Sequence, residues 1–198
     1  MVGRTEAERR GGQKIPRAWD PNLIAAHGPI TAAEQQFVAD HVVTGRAGRM
    51  AVEVGCGTGR FTSWLHHAHG YYVTGLDLSP LNLSLACVRG EGPGLSYVAH
   101  DAESGPPPGL PVDGVDLVVG RMTTRYLRDP ERLLRQVRDR WLRPGGCLYL
   151  QVLARPFKDE RQGWITPENL ARYMDGWSSR QRMDEGPRAH LVLRTSHR

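Results

Sequence analysis

The chain has 198 residues, 39% hydrophobic and 24% charged, the make-up of one ordinary globular domain with a sizeable core. Its 23 glycines and 14 prolines follow no repeat, which excludes a collagen-like chain, and five tryptophans with six tyrosines argue against disorder. The formal charge is +5, but of 26 basic residues only Lys14 and Lys158 are lysines; so lopsided a ratio reads as the codon bias of a GC-rich genome rather than as a dedicated phosphate-binding surface.

Residues 1–18 form a basic, glycine-containing tail that lacks the apolar core of a secretory signal, so the expected location is the cytoplasm. No apolar run approaches the roughly 18 residues of a membrane helix. Thr31 followed by Glu34 is a capping box, and Phe37, Val38, Val42 and Val43 continue at helical spacing until residues 45–49 end the helix. Short apolar runs then alternate with helical patterns. Residues 50–54 read as a buried strand and 60–68 as a helix. His66, His67 and His69 crowd the end of that helix, but no second group with ligand spacing accompanies them, and no metal site is expected.

Residues 72–76 are a second strand, 81–88 a helix started by Ser79-Pro80, 95–99 a third strand and 115–119 a fourth. The stretch 104–111 is too proline-rich for a helix. Asp129 and Pro130 start a helix over 130–142, with Leu133, Leu134, Val137 and Trp141 as its apolar stripe. A turn at Pro144-Gly145-Gly146 leads into a fifth strand, 147–153. Thr166-Pro167-Glu168 starts another helix, and 180–183 and 190–195 read as closing strands. Cys56, Cys87 and Cys147 are too scattered for a disulfide framework and read as structural thiols.

Strands alternating with helices imply a doubly wound α/β fold, a mostly parallel sheet with helices on both faces. Such sheets bind ligands beyond the carboxyl ends of their strands, where strand order reverses. The residues that follow each strand therefore carry the function. After the first strand stands Glu53-Val54-Gly55-Cys56-Gly57-Thr58-Gly59. Glycines there let the backbone turn tightly and approach a ligand, and the following helix start favours an anionic group. The dinucleotide fingerprint would need a third glycine where Arg60 stands, and a phosphate P-loop would need Gly-Lys-Ser/Thr.

The remaining pattern, E-x-G-x-G-x-G, resembles motif I of the class I S-adenosylmethionine-dependent methyltransferases. Leu76-Asp77-Leu78-Ser79 after the second strand, His100-Asp101-Ala102 after the third, Val115-Asp116-Leu117-Val118 in the fourth and Leu142-Arg143-Pro144-Gly145-Gly146 before the fifth resemble later motifs of the family in order. The resemblance spans residues 50–153. It implies a seven-stranded Rossmann-like sheet whose last strand is antiparallel, with S-adenosylmethionine as cofactor. It also implies roles. Glu53 and the backbone around Gly55, Cys56 and Gly57 would hold the methionine part, and Asp77 the ribose hydroxyls, with Leu78 against the adenine. Asp101 and the backbone of Ala102 would read the adenine edge, and Gly120 and Arg121 would touch the amino-acid group.

For the acceptor the chain offers less. His27 and Tyr126 are the candidate general bases. Arg125 is the candidate partner of an anionic acceptor group, and Trp19, Phe157 and Trp164 are candidate substrate contacts on the N-terminal stretch and the loop after strand five. Residues 1–30 are thus expected to be a tail and substrate-side segment, and 31–198 the cofactor-binding domain. The leading expectation is a metal-independent transfer to O, N or S of a small molecule, without a membrane partner. An RNA or protein methyltransferase, supported by the charge and the basic tail, is the second reading; a non-catalytic cofactor-binding module is the third.

Overall fold

The structure is a computed structural model that describes residues 29–44, 48–111, 113–155 and 164–197. The expected tail lies outside the described residues, as do Trp19, His27 and Phe157. Helix α1, Ala32–His41, starts at Thr31, whose hydroxyl accepts from the Glu34 backbone N–H at 3.0 Å. Only half of the expected capping box forms, because the Glu34 side chain turns into the interior, where it is fully buried. Phe37, Val38 and Val42 supply the apolar face that docks the helix.

The chain continues through β1 (Met50–Val54), α2 (Arg60–His69), β2 (Tyr72–Asp77), α3 (Pro80–Arg89), β3 (Leu95–Ala99) and β4 (Val115–Arg121). It then runs through α4 (Pro130–Gln136), β5 (Leu142–Leu153), α5 (Pro167–Tyr173), β6 (Ser179–Glu185) and β7 (Arg188–Arg194). The seven strands form one sheet in the order β3-β2-β1-β4-β5-β7-β6. Pairs among the first five strands are parallel, and β7 runs antiparallel to both β5 and β6. This is the expected doubly wound α/β sheet with its reversed last strand. Its two apolar faces are covered differently: α1, α2 and α3 pack on one, α4 and α5 on the other.

Three expectations change. The helix expected over 130–142 is α-helical only to Gln136 and continues as a π turn, Val137–Trp141, that keeps both end residues buried. The Pro144-Gly145-Gly146 turn is instead a bulge inside β5. Val115 pairs with Leu142 but Leu117 with Cys147, so the intervening residues arch out of register, helped by Gly145 at φ +72°. Strand β4 runs two residues past its expected end and carries Arg121 opposite Gln151. As expected, the proline-rich stretch 104–111 is not α-helical; a 3₁₀ turn at Ala102–Ser104 leads into it.

Asp116, part of the motif in β4, has a structural task. Its carboxylate accepts from the Met50 backbone N–H at 2.9 Å and pairs with Arg143, tying β1 and β5 to β4. Leu148, in register with Val118 at the middle of the sheet, is 1% exposed. Leu148→Ala should cost about 2–5 kcal/mol of folding stability through lost burial and a residual cavity, measured as a shift in the urea midpoint.

Candidate functional site

Strands β1 and β4 are neighbours, but the chain leaves β1 toward β2 and β4 toward β5, so a cleft opens beyond their carboxyl ends. The three glycines after β1 do different things. A Cβ on Gly55, φ +69°, would collide with the Thr123 side chain, and one on Gly59, φ +71°, would stand 2.6 Å from Tyr97 Oη. Both are fixed by packing and by their left-handed backbone. Gly57, φ +54°, has nothing within 4 Å of where its Cβ would be. The open space beside it belongs to the cleft. The loop is pinned from outside by the Arg89 Nε–H, which donates to the Thr58 carbonyl at 3.0 Å.

Asp77 ends β2 with its carboxylate buried at the cleft wall. It accepts from the backbone N–H groups of Gly57 and Ser79, each at 2.8 Å, and from Asn82 Nδ2 at 3.4 Å. Each carboxylate oxygen offers two acceptor sites; Oδ1 already accepts from Ser79 and Asn82 and Oδ2 from Gly57, so Asp77 keeps one site on Oδ2 for a hydroxyl, and a second opens if the 3.4 Å contact from Asn82 gives way. Next to it Leu78 is 60% exposed and lines the cleft, an apolar surface available to a flat ring.

Asp101, after β3, caps the 3₁₀ turn: its Oδ1 accepts from the Glu103 N–H at 2.9 Å. Its Oδ2 accepts from Arg128 Nη2 at 2.8 Å, and Arg128 Nε donates to Glu103 at 3.1 Å. Burial would push the Glu103 carboxyl up, but hydrogen bonds from the Asp129 and Arg128 backbone and the Arg128 side chain hold it below the usual carboxylate range. Arg128 is thus a second anchor of the acidic wall. It carries no sequence signal, being an exposed arginine in a short connection. Ala102, buried, also lines this end of the cleft.

At the other end lies a buried charge cluster. Glu53, 2% exposed, accepts a hydrogen bond from the Thr62 hydroxyl at the start of α2. Arg121 donates through Nε and Nη2 to the two oxygens of Glu34, at 2.7 and 2.8 Å, with the Phe61 ring 5.1 Å from its guanidinium carbon. The Tyr149 hydroxyl donates to the same Glu34 at 2.8 Å and lies 2.9 Å from His190 Nδ1; His190 Nε2 is 3.2 Å from Glu185. A phenol that donates its single proton to Glu34 accepts from His190 Nδ1–H.

The remaining sequence-derived residues scatter. Tyr126 lines the cleft, and Arg125 sits with its guanidinium carbon 5.5 Å from the Tyr126 ring. Gly120 is outside the cleft lining; its missing Cβ makes room for Leu150 and Thr123, at 3.0 and 3.1 Å. Cys56 lines the cleft, but its thiol packs against Gly75 and burial pushes it far up. Trp164 is half-buried and also outside the lining. The histidines near the end of α2 serve the fold: His66 and His67 bond backbone carbonyls of Tyr71 and Ser63, and His69 packs edge-on against Trp64. Sequence reasoning missed Glu34, Arg128 and His100, all of which line or brace the cleft, which Thr123 after β4 also lines. The buried side-chain amide of Gln151, opposite Arg121, has no hydrogen-bond partner among the described residues.

The donor set fits S-adenosylmethionine. A fixed carboxylate at Asp77 suits a ribose hydroxyl, an exposed leucine and an acidic residue suit adenine, the open side of Gly57 admits close approach, and Arg121 with Glu53, which ionises as pH passes about 7, offers both signs of charge to an amino acid.

Comparison with known proteins agrees. A family described as "Methyltransferase domain" matches residues 52–150. A ubiquinone biosynthesis O-methyltransferase of Methylococcus capsulatus is 32% identical over 168 residues, covering 81% of this chain and 67% of that protein. A phthiotriol/phenolphthiotriol dimycocerosates methyltransferase of Mycobacterium leprae is 38% identical over 105 residues, covering 52% of this chain; the matched part spans only 37% of that relative. Among solved structures, an S-adenosylmethionine-dependent methyltransferase of Mesorhizobium loti superposes with a TM-score of 0.66 at 20% identity, covering 83% of this chain and 98% of that one.

Burial pushes the Glu53 carboxyl from 4.5 up to about 7, against the lowering influence of the Thr62 hydroxyl and the Arg121 guanidinium. The folded chain therefore holds a proton that the unfolded chain releases above 4.5. Stability from this group is full below that pH and is lost as pH rises to about 7. Glu53→Gln should remove the loss: urea unfolding at pH 5 and pH 8 should show the variant gaining up to about 3 kcal/mol on the wild type between the two. An unchanged difference would contradict the burial argument.

Proposed function

The chain belongs to the methyltransferase-domain family and uses S-adenosylmethionine, and on that premise we propose that it methylates an oxygen, nitrogen or sulfur atom of a small molecule. The observation that carries the site assignment is the Asp77 carboxylate, oriented by two backbone N–H groups at the wall of the cleft and next to the open side of Gly57. In this reading Asp77 accepts from the ribose hydroxyls and Leu78 covers the adenine. Asp101, held by Arg128, and the backbone of Ala102 meet the adenine edge. Glu53 and the backbone of Gly55 and Gly57 take the ammonium side of the methionine part, and Arg121 takes its carboxylate.

When bound, S-adenosylmethionine supplies a methyl group already activated by its sulfonium, so the protein's task is alignment more than bond activation. Holding the reactants in line is worth roughly 7–11 kcal/mol. Phe61, Leu127 and Pro29 present apolar surface along the cleft, which favours exclusion of water from the reacting atoms. Tyr126, in the lining, is the described candidate to take a proton from a hydroxyl acceptor. The Methylococcus relative is an O-methyltransferase of ubiquinone biosynthesis, which favours oxygen among the three acceptor atoms. Arg125, stacked beside Tyr126, is the candidate partner of an anionic group on the acceptor.

A polyanionic acceptor such as RNA is the second reading, favoured by the net charge of +5; it requires binding that falls steeply with salt. No helix of the described residues is long and apolar enough to cross a membrane.

A charge-assisted hydrogen bond contributes roughly 1.5–3 kcal/mol. Asp77→Ala should therefore weaken S-adenosylhomocysteine binding about ten- to a hundredfold by calorimetry; unchanged affinity would overturn the assignment. Once an acceptor is in hand, Arg125→Ala should raise its KM and leave cofactor affinity unchanged. An unaltered KM would remove Arg125 from the acceptor site.

A further inference from the structure

We propose that Glu34 is a positioning residue of the cofactor site: its buried pair with Arg121 aims the guanidinium at the carboxylate of the methionine part of S-adenosylmethionine. The inference rests on the assignment of Arg121 made above and extends it to a helix that precedes the matched family region, residues 52–150.

Arg121 ends β4 and lines the cleft at 6% exposure. A guanidinium on a flexible stem would normally sample many directions there. Glu34 removes that freedom, because a two-point contact through Nε and Nη2 fixes both the plane and the rotation of the group. The edge turned toward Glu34 faces α1, so the opposite edge, with Nη1, is the one that can be offered to a ligand. The Phe61 ring supports the flat face, and Tyr149, donating to Glu34 from β5, keeps the carboxylate from swinging. His190 backs Tyr149 in turn.

The charge balance gives Glu34 a second reason to be there. Arg121 faces two carboxylates, Glu34 from α1 and Glu53 from β1, and the Tyr149 phenol. Without Glu34 the guanidinium would be drawn to Glu53. The two groups needed at opposite ends of a zwitterion would then neutralise each other. With Glu34 holding the cation, Glu53 stays available to an ammonium and Arg121 to a carboxylate. Docking of α1 does not itself require the pair, since Phe37, Val38 and Val42 already pack the helix, and an apolar side chain at position 34 could fill the same space.

The test is calorimetric titration of the full chain with two ligands, S-adenosylhomocysteine and 5′-methylthioadenosine, which keeps the adenosine and thioether but lacks the amino-acid end. Glu34→Gln preserves shape and removes the charge; it should weaken S-adenosylhomocysteine about tenfold and leave 5′-methylthioadenosine within about twofold. Equal weakening of both ligands, or of neither, overturns the proposal. If Glu34→Gln does not fold, Tyr149→Phe serves instead, with a few-fold loss expected for S-adenosylhomocysteine alone and the same overturning outcomes. Arg121→Gln separates the two claims. If it leaves S-adenosylhomocysteine affinity intact, the assignment of Arg121 falls; if it weakens that ligand while Glu34→Gln does not, only the role of Glu34 falls.

Discussion

Two parallel strands, β1 and β4, lie side by side in register from Ala51 opposite Leu117 to Val54 opposite Gly120, and then the chain departs from them in opposite directions. No connection can cover the edge where they part. The loop after β1 satisfies its own backbone there: the Cys56 N–H donates to the Leu76 carbonyl, the Gly57 N–H to Asp77 and the Gly59 N–H to the Cys56 carbonyl, so the gap is bordered by a fixed turn that a ligand can approach at Gly57. The distribution of buried polar side chains follows from the same constraint. Glu53, Asp77, Arg121 and Gln151 all sit at the carboxyl ends of strands β1, β2, β4 and β5, and Thr62, Ser79 and Asn82 sit in the helix starts beside them. Because β7 is reversed, His190 near its beginning joins the same edge. The inner strands otherwise pack mainly valine, leucine and tyrosine on both faces, while the edge strand β6 is polar and largely exposed.

Within that edge the two halves differ in kind. On the side of β2 and β3 the carboxylates are oriented by backbone N–H groups and by an exposed arginine, an arrangement suited to hydroxyl and amino donors. On the side of β4 and β5 the charges are buried and paired with one another. Removing an ion pair from water is unfavourable unless its geometry is good and its remaining donors and acceptors are satisfied. Arg121, Glu34 and Tyr149 reach good geometry because three distant segments converge on one point, and the Nη1 edge of Arg121 is what a ligand would satisfy. Helix α1 is thereby joined to the cleft by charge as well as by its apolar face.

Much of the framework was legible because buried parallel strands must be nearly continuous apolar runs, as in residues 50–54 and 147–153, and because glycines at 55, 57 and 59 have few other uses after such a strand. Asp77 was legible for the same positional reason. What escaped is long-range. Glu34 three residues after Thr31 looks like the second half of a capping box, and nothing local reveals that its partners lie 87 and 115 residues away. Arg128 gives no signal because its carboxylate partners are brought to it only by the turn after β3. The proline and two glycines at 144–146 have the composition of a turn, and only pairing with β4 reveals a bulge instead. The π turn ending α4 was hidden because its apolar stripe is the same for either winding.

The claim on which all of this depends is that S-adenosylmethionine binds where β1 and β4 part. Backbone amide chemical shifts during titration with S-adenosylhomocysteine test it most directly. The account predicts that perturbations concentrate on residues 55–59, 77–79, 101–103 and 121–123, with the β6–β7 hairpin end at Asp184 to Arg188 nearly unmoved. Perturbations centred on that hairpin or on the opposite edge of the sheet, or none at saturating ligand, would contradict it.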